Sequence, residues 1–375
     1  MKDNKRRVAV VCDFQFWKPE LGSHTRVRNL VEELRTEVTL IVVYLGSFTP
    51  YEIAAASSEL GVSVVALGHS QQGPYNIGKS SPDEDERTAL FLHFTHEWRP
   101  DAVIFEYIRL APLQARIPRE IRSIVDTMDV MSQRAWSFIR HGERPSIYKS
   151  AAEEAEELSR FDLVLAISKS DSRYLRESLS LTNVMLVSLS NRALIGTGVV
   201  RQKVLCQKQK LHAIFVGGRN RANQLGLVAL CRFWPVVAKN YDLSIVGHVN
   251  AQSFSGLPGV KILGAVDDLA GLYGSADVAL NPVYIGGGVK IKVLEALANG
   301  VPCVSSLEGA RGLDDAVRTS AVRVADSSLT FIGQMIRLED PDVRQASSAA
   351  ALGFSKRYLS SDHSFRDLIC YLNHA

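Results

Sequence analysis

Twice along this chain, short apolar, β-branched runs alternate with stretches of helical periodicity, and that pattern limits the fold more than any other feature. In the first half the runs are Arg7–Cys12, Thr39–Leu45, Val62–Leu67, Asp101–Tyr107, Ser123–Asp126 and Asp162–Ser168. In the second half they are His212–Gly217, Asp242–Gly247, Val260–Gly264, Asp277–Val283, Pro302–Ser306 and Ala321–Ala325. They are almost continuously apolar, the signature of strands covered on both faces. Between them, Ser23–Leu34 opens on a serine cap and Lys149–Phe161 is rich in helix formers. Such alternation predicts α/β architecture, with parallel sheets wrapped by helices.

A chain of 375 residues exceeds one ordinary domain. The pattern breaks between Ser190 and Lys210, where Gly196, Gly198 and a cluster of Gln, Lys and Arg read as a linker. The expected organisation is a doubly wound domain over 1–190, a linker over 191–210 and a second doubly wound domain over 211–350. A helical segment over 351–375 would be free to cross back to the first domain. Ligands of such folds bind at the carboxyl ends of the strands, so the expected site is a cleft across which the two Rossmann-like domains face each other.

The net charge of +3 gives no field pointing to nucleic acid. The five cysteines are scattered and form no C-x-x-C pair, which favours a reducing compartment and disfavours a disulfide framework or a cysteine-based zinc site. No stretch is long and apolar enough to span a bilayer. The start, MKDNKRRVAVVC, is basic and then apolar but soon meets Asp13, so it reads as a tail and a buried strand rather than a signal peptide. The expected location is cytoplasmic. Lys2, Lys5, Arg6 and Arg7, together with the arginines of 134–144, leave room for peripheral contact at the inner face of a membrane.

Residues Gly73–Ser80 (GPYNIGKS) fit the phosphate-cradling pattern G-x-x-x-x-G-K-[ST]. A working loop of that kind joins a strand directly to a helix. Here polar residues separate Leu67 from Gly73, and Ser81-Pro82 signals a helix that starts after Lys79. The flanks therefore argue against an ATP or GTP hydrolase. The acidic run Asp83–Glu86 contains a D-x-D. At a helix start it serves the macrodipole better than it serves a metal, and no metal ligand is assigned.

The most informative stretch is NPVYIGGGVKIKVLEALANGVPCVSS, Asn281–Ser306. A strand ends in the glycine run Gly286, Gly287, Gly288, followed by Val289 and Lys290. A helix then carries Ile291, Leu294, Leu297 and Ala298 on one face, and Gly300 closes it. A glycine-rich turn into a helix N-terminus is an anion site. Lys290 and Lys292 add charge in the first turn, where the macrodipole disfavours it. Glu295, one turn on, offers a carboxylate to vicinal hydroxyls.

This stretch resembles the C-terminal signature of GT-B glycosyltransferases, of the retaining family 4 type (bacterial glycosyl transferases group 1). Residues 213–237 and 260–283 resemble further parts of the nucleotide domain. Residues 21–34 resemble the glycine loop of the first domain, and 124–134 resemble a variant found in bacterial envelope sugar transferases. The resemblance implies a nucleotide sugar, UDP-linked, as donor, and a sugar, lipid-linked or other small molecule as acceptor. It implies bacterial polysaccharide or glycoconjugate synthesis, with retention of anomeric configuration. No metal or other cofactor is required, because fixed cations and backbone N–H groups stabilise the departing diphosphate.

By the same resemblance, Glu295 binds the ribose hydroxyls, Arg219 lies near the diphosphate, and Lys292 is the matching lysine, with Lys290 as second candidate. Asn223 matches an asparagine without an assigned role. Gly22 matches the backbone that approaches the donor phosphate. The departures are specific. The first of two glutamates seven residues apart falls at Gly287, one glycine of the first loop is Leu21, and the family's histidine falls at Met128. Asp126, Asp129 and Arg134 remain near Met128, either to orient a substrate or as an ion-pair network at a strand end. Gly287 and Met128 keep open an alternative, a catalytically weak homologue acting as a scaffold for another transferase.

Overall fold

The computed structural model describes residues 5–18, 22–68, 84–189, 210–250, 254, 256–266, 269–359 and 363–374. The motif at Gly73–Ser80, Asp83 of the acidic run, Leu21 and most of the expected linker lie outside them. The chain divides into two compact units. One comprises residues 1–132, 148–189 and 362–375, and the other comprises residues 133–147 and 190–361.

The first unit holds a seven-stranded sheet of β1 (Arg7–Cys12), β2 (Thr39–Tyr44), β3 (Ser63–Ala66), β4 (Ala102–Glu106), β5 (Arg122–Asp126), β6 (Leu163–Ala166) and β7 (Val184–Leu186). Its order is β3-β2-β1-β4-β5-β6-β7, and every pairing is parallel. Alternate residues of each strand feed two cores. Val8, Val10, Ile104 and Ile124 face one side, and Ala9, Val11, Val103, Phe105 and Val125 face the other. Burial on both faces explains the uninterrupted apolar runs. β7 has no sequence expectation behind it, since three residues at a sheet edge are too few for a period to show.

Helix starts follow local chemistry. Ser150 and Glu153 form a reciprocal capping box at the head of the Ala151–Leu158 helix. The helix expected to be capped by Ser23 instead begins at Gly22, so Ser23 lies within its first turn. The C-terminal helix, His363–His374, belongs to the first unit. Its Phe365, Leu368 and Leu372 recur at helical spacing and are buried in the same core as Val8 and Ile104. The helix before it, Pro341–Leu359, belongs to the second unit and spans the boundary expected at 350.

The second unit holds β8 (Leu211–Val216), β9 (Tyr241–Val246), β10 (Val260–Gly264), β11 (Val278–Asn281), β12 (Cys303–Ser306) and β13 (Val322–Ala325). They form a parallel sheet in the order β10-β9-β8-β11-β12-β13. The strand order reverses between β8 and β11, the topological switch point where open α/β sheets bind ligands. The stretch 133–147, which the sequence reading placed with the first half, groups with this unit. Its tethers are explicit. Ser137 Oγ accepts from Gly286 N at 3.1 Å, Glu143 accepts two hydrogen bonds from Arg221 at 3.0 and 2.8 Å, and His141 sits against Tyr284.

Candidate functional site

The residues after β8 and β11 build the site of the second unit. Gly226 brings the Arg221–Val237 helix against the end of β11, because a Cβ there would stand 2.6 Å from Pro282 O. Asn220 caps that helix by accepting from Asn223 N at 2.8 Å, which fixes Asn223 in the first turn. Asn223 is buried; its Nδ2 donates to Gly218 O, and its Oδ1 accepts from Lys292 Nζ at 2.6 Å. Two segments far apart in sequence thus meet through one amide. Arg219 is exposed, and its side chain has no partner among the described residues.

After β11 the chain turns through the glycines. Gly286 has φ 134° and Gly288 φ 61°, conformations that side chains other than hydrogen rarely adopt. The Ile291–Ala298 helix follows, with Lys290 at its cap and no side-chain cap. Ile291, Val293, Leu294, Ala296 and Leu297 are buried, while Lys292 and Glu295 are half-buried. Lys290 Nζ donates to Gly287 O and Gly288 O, 2.9 Å each. The two lysines expected together at an anion therefore differ. Lys290 folds back on the turn, and Lys292 reaches across to Asn223 with its ammonium 4.6 Å from the centre of the Phe215 ring.

The electrostatics follow from burial. Desolvation, and then repulsion from Lys290, lower the Lys292 pKa from 10.5 to about 7. Desolvation raises the Glu295 carboxyl above its usual range, against the stabilising influence of the Tyr273 hydroxyl and Lys292. Tyr273 OH lies 3.1 Å from Lys292 O and 3.4 Å from Glu295 Oε2, bracing the helix from below. Among the described residues, then, a cation, a carboxylate and a glycine turn share one helix end at the switch point. That arrangement suits an anion joined to a group with hydroxyls.

The sites expected in the first unit fall differently. Gly22 is the first residue of its helix. Asp126 is completely buried and accepts from Arg26 Nε at 2.8 Å, so it is an internal charge at the end of β5 and offers nothing to a substrate. Glu106, its register partner on β4, is equally buried, and neither of its oxygens has a hydrogen-bond partner. Burial and then the Asp126 charge push the Glu106 carboxyl well above the usual range. Asp129 is half-buried beside Met128, which has φ 54°. Arg134 lies over the Phe138 ring.

Tyr273, Phe215, Ser137 and Glu308, whose carboxylate lies 3.6 Å from Lys290 Nζ, were not anticipated. Tyr273 and Phe215 read from sequence as ordinary core, and no spacing links Ser137 or Glu308 to a glycine turn so far away in the chain.

Comparison with known proteins bears on these features. Residues 210–340 match the family model of glycosyl transferases group 1. No curated protein matches the chain. Among solved structures it is similar to sucrose-phosphate synthase from Thermosynechococcus elongatus, with 15% identity, 98% of this chain and 100% of the other covered, and a TM-score of 0.75. It is similar to the Anabaena protein HepE in complex with UDP, with 13% identity, 98% and 100% coverage and a TM-score of 0.69. It is also similar to S. aureus TarM in complex with fondaparinux, alpha-GlcNAc-glycerol and UDP, with 10% identity, 98% and 100% coverage and a TM-score of 0.72.

Proposed function

We propose that this chain, which has the GT-B fold of its solved neighbours and matches the group 1 family model over residues 210–340, is a glycosyltransferase that moves a sugar from a UDP-linked donor to an acceptor hydroxyl with retention at the anomeric carbon, without a metal, in the synthesis of a bacterial polysaccharide or glycoconjugate. The observation that carries the reading is the pairing of Lys292 and Glu295 on one helix behind the glycine turn, with Asn223 locking the lysine in place. The solved relatives that hold UDP support the choice of base.

In this reading Glu295 accepts hydrogen bonds from the ribose hydroxyls, while Lys292, Arg219 and the N–H groups of the turn face the diphosphate. The bond between the anomeric carbon and the diphosphate oxygen breaks, and a bond to the acceptor oxygen forms on the same face. The acceptor's proton leaves with the diphosphate. Fixed positive charge and oriented N–H groups lower the barrier because negative charge grows on the leaving group. Lys292, about half charged at pH 7 and mostly neutral at pH 8 without ligand, becomes fully charged as that anion arrives.

The acceptor is a sugar or a lipid-linked sugar. Trp136, Ile139 and Ile147 are exposed apolar side chains, interspersed with exposed Arg140 and Arg144, which supports peripheral contact with an anionic membrane surface. No helix among the described residues is long and apolar enough to cross a membrane.

The test is a panel of UDP, GDP and ADP sugars with a crude glycan acceptor in the presence of EDTA, the product being read by proton NMR of its anomeric signal. Transfer from a UDP-sugar with the donor's anomeric configuration is expected. Strict dependence on added metal, or inversion, would sink the mechanism. UDP binding without turnover on any acceptor would turn the reading toward a scaffold.

A further inference from the structure

We propose that Lys290 and Glu308 together form a tie that sets the shape of the glycine turn, aiming the N–H groups of Gly288 and Val289 at the donor's diphosphate. The proposal rests on the functional reading above and gives Lys290 a positioning role in place of direct contact with phosphate.

The geometry begins with three successive glycines, which have the least conformational preference of any residues. Something outside the turn must hold it in one form. Lys290 Nζ does so by donating to Gly287 O and Gly288 O, both at 2.9 Å. These carbonyls belong to consecutive peptide groups, whose N–H groups are those of Gly288 and Val289. In a trans peptide the C=O and N–H point in opposite directions, and the described residues contain no cis peptide. Gathering both carbonyls onto one ammonium therefore turns both N–H groups to the far side. Gly286 N–H is not part of this set, because it is taken by Ser137 Oγ.

The ammonium itself has to be held. It sits at a helix N-terminus, where the macrodipole repels it. Glu308, from the loop after β12, stands 3.6 Å away, and the two side chains are only 12% and 10% exposed. Arg311 fixes that carboxylate in turn. Its Nε donates at 3.0 and 3.1 Å to the two oxygens, and its Nη2 at 2.6 Å to Oε2. Glu308 is thus a rigid negative post that keeps Lys290 folded over the turn. Without it, the lysine would extend toward solvent or toward the incoming anion, and the glycines would lose their imposed form.

A carboxylate placed this close to an anion site gives the proposal an unusual sign. Simple electrostatics says that removing the Glu308 charge tightens the binding of UDP. The tie says the opposite. The experiment is calorimetric titration of Glu308→Gln and Glu308→Asp with UDP and with uridine, with thermal unfolding as the check on folding. The expected result is UDP binding weakened about tenfold in both variants, the scale of one lost charge-assisted hydrogen bond, with uridine binding changed less than about twofold. Glu308→Asp keeps the charge and shortens the post, so it answers the question even if Glu308→Gln does not fold. The double variant with Lys290→Met is expected to be no worse than Lys290→Met alone, because both changes release one device. UDP binding that is unchanged or tighter in both Glu308 variants would overturn the tie and leave the donor site standing. A wild-type protein that binds uridine and UDP equally would overturn the diphosphate site itself.

Discussion

The low pKa of Lys292 should make nucleotide binding a proton-uptake reaction. Burial and Lys290 bring it from 10.5 to about 7, whereas an unfolded chain keeps the ordinary value. At roughly 1.4 kcal/mol per pH unit, the gap corresponds to about 5 kcal/mol favouring the neutral amine in the free protein. The folded state binds fewer protons than the unfolded state between about pH 7 and 10.5. This lysine therefore depresses stability fully below pH 7, and the penalty is relieved as pH rises through that window. A diphosphate placed against the ammonium reverses the preference and restores the charge. At pH 8 about 0.9 of the free protein has a neutral Lys292, so binding one UDP takes up close to one proton. Affinity then falls by up to tenfold for each pH unit above 7 and is flat below it. The assay is titration calorimetry at pH 8 in two buffers of different ionisation enthalpy, whose difference in apparent heat counts protons. Wild type should show an uptake near one, and Lys292→Met should show close to none with weaker binding. No buffer dependence in wild type, or equal uptake in Lys292→Met, would refute the placement of Lys292 against the diphosphate.

Glu295→Ala should weaken UDP binding roughly 10- to 100-fold, the scale of hydrogen bonds to a charged group. The preference for UDP over 2′-deoxy-UDP, measured in the same titrations, should disappear with it. In the first unit, Arg26→Met removes the cation paired with Asp126 beside Glu106, and should cost roughly 3–5 kcal/mol in urea unfolding. Adding Asp126→Leu should recover most of that loss, and no recovery would mean the pair is not the source. Because the Glu106 carboxyl is raised, its contribution to stability is lost as pH climbs above the usual carboxyl range. Glu106→Gln should therefore raise the melting temperature at pH 8 and leave it nearly unchanged at pH 4.5. Vesicles with anionic lipid should sediment the wild-type protein at low salt, and Arg140→Glu with Arg144→Glu should release it. Equal sedimentation with neutral vesicles would argue against an electrostatic surface.

Period and punctuation made the two sheets legible, because strands buried on both faces leave apolar runs that nothing else in the chain imitates. The glycine turn was legible for the same kind of reason, since three glycines between a strand and a helix have few other uses. What escaped was everything decided by long-range contact. Asp126 and Asp129 are three residues apart at one strand end, and only the arrival of Arg26 from another helix makes the first an internal charge. Lys290 and Lys292 look interchangeable in sequence. Their alternate spacing sends one back to its own turn and the other to Asn223, and neither outcome has a local signal. The stretch 133–147 carries no composition that betrays its attachment to Gly286 and Arg221, which depends on one serine and one glutamate. The motif at Gly73–Ser80 stands only on its flanking residues.

The C-terminal helix has a consequence for how the molecule is made. The apolar face that Phe365, Leu368 and Leu372 cover is laid down by the first strands to be synthesised, yet its cover is encoded some 170 residues after the rest of that unit ends at Leu189. At about 5–20 residues per second, a nascent chain carries that bare patch for roughly 10–40 seconds while residues 190–361 of the second unit are translated. During that interval the early unit is a client for holdases and a target for proteases. A ribosome stalled between residues 190 and 361 leaves a first unit that is nearly complete in sequence and open at its core.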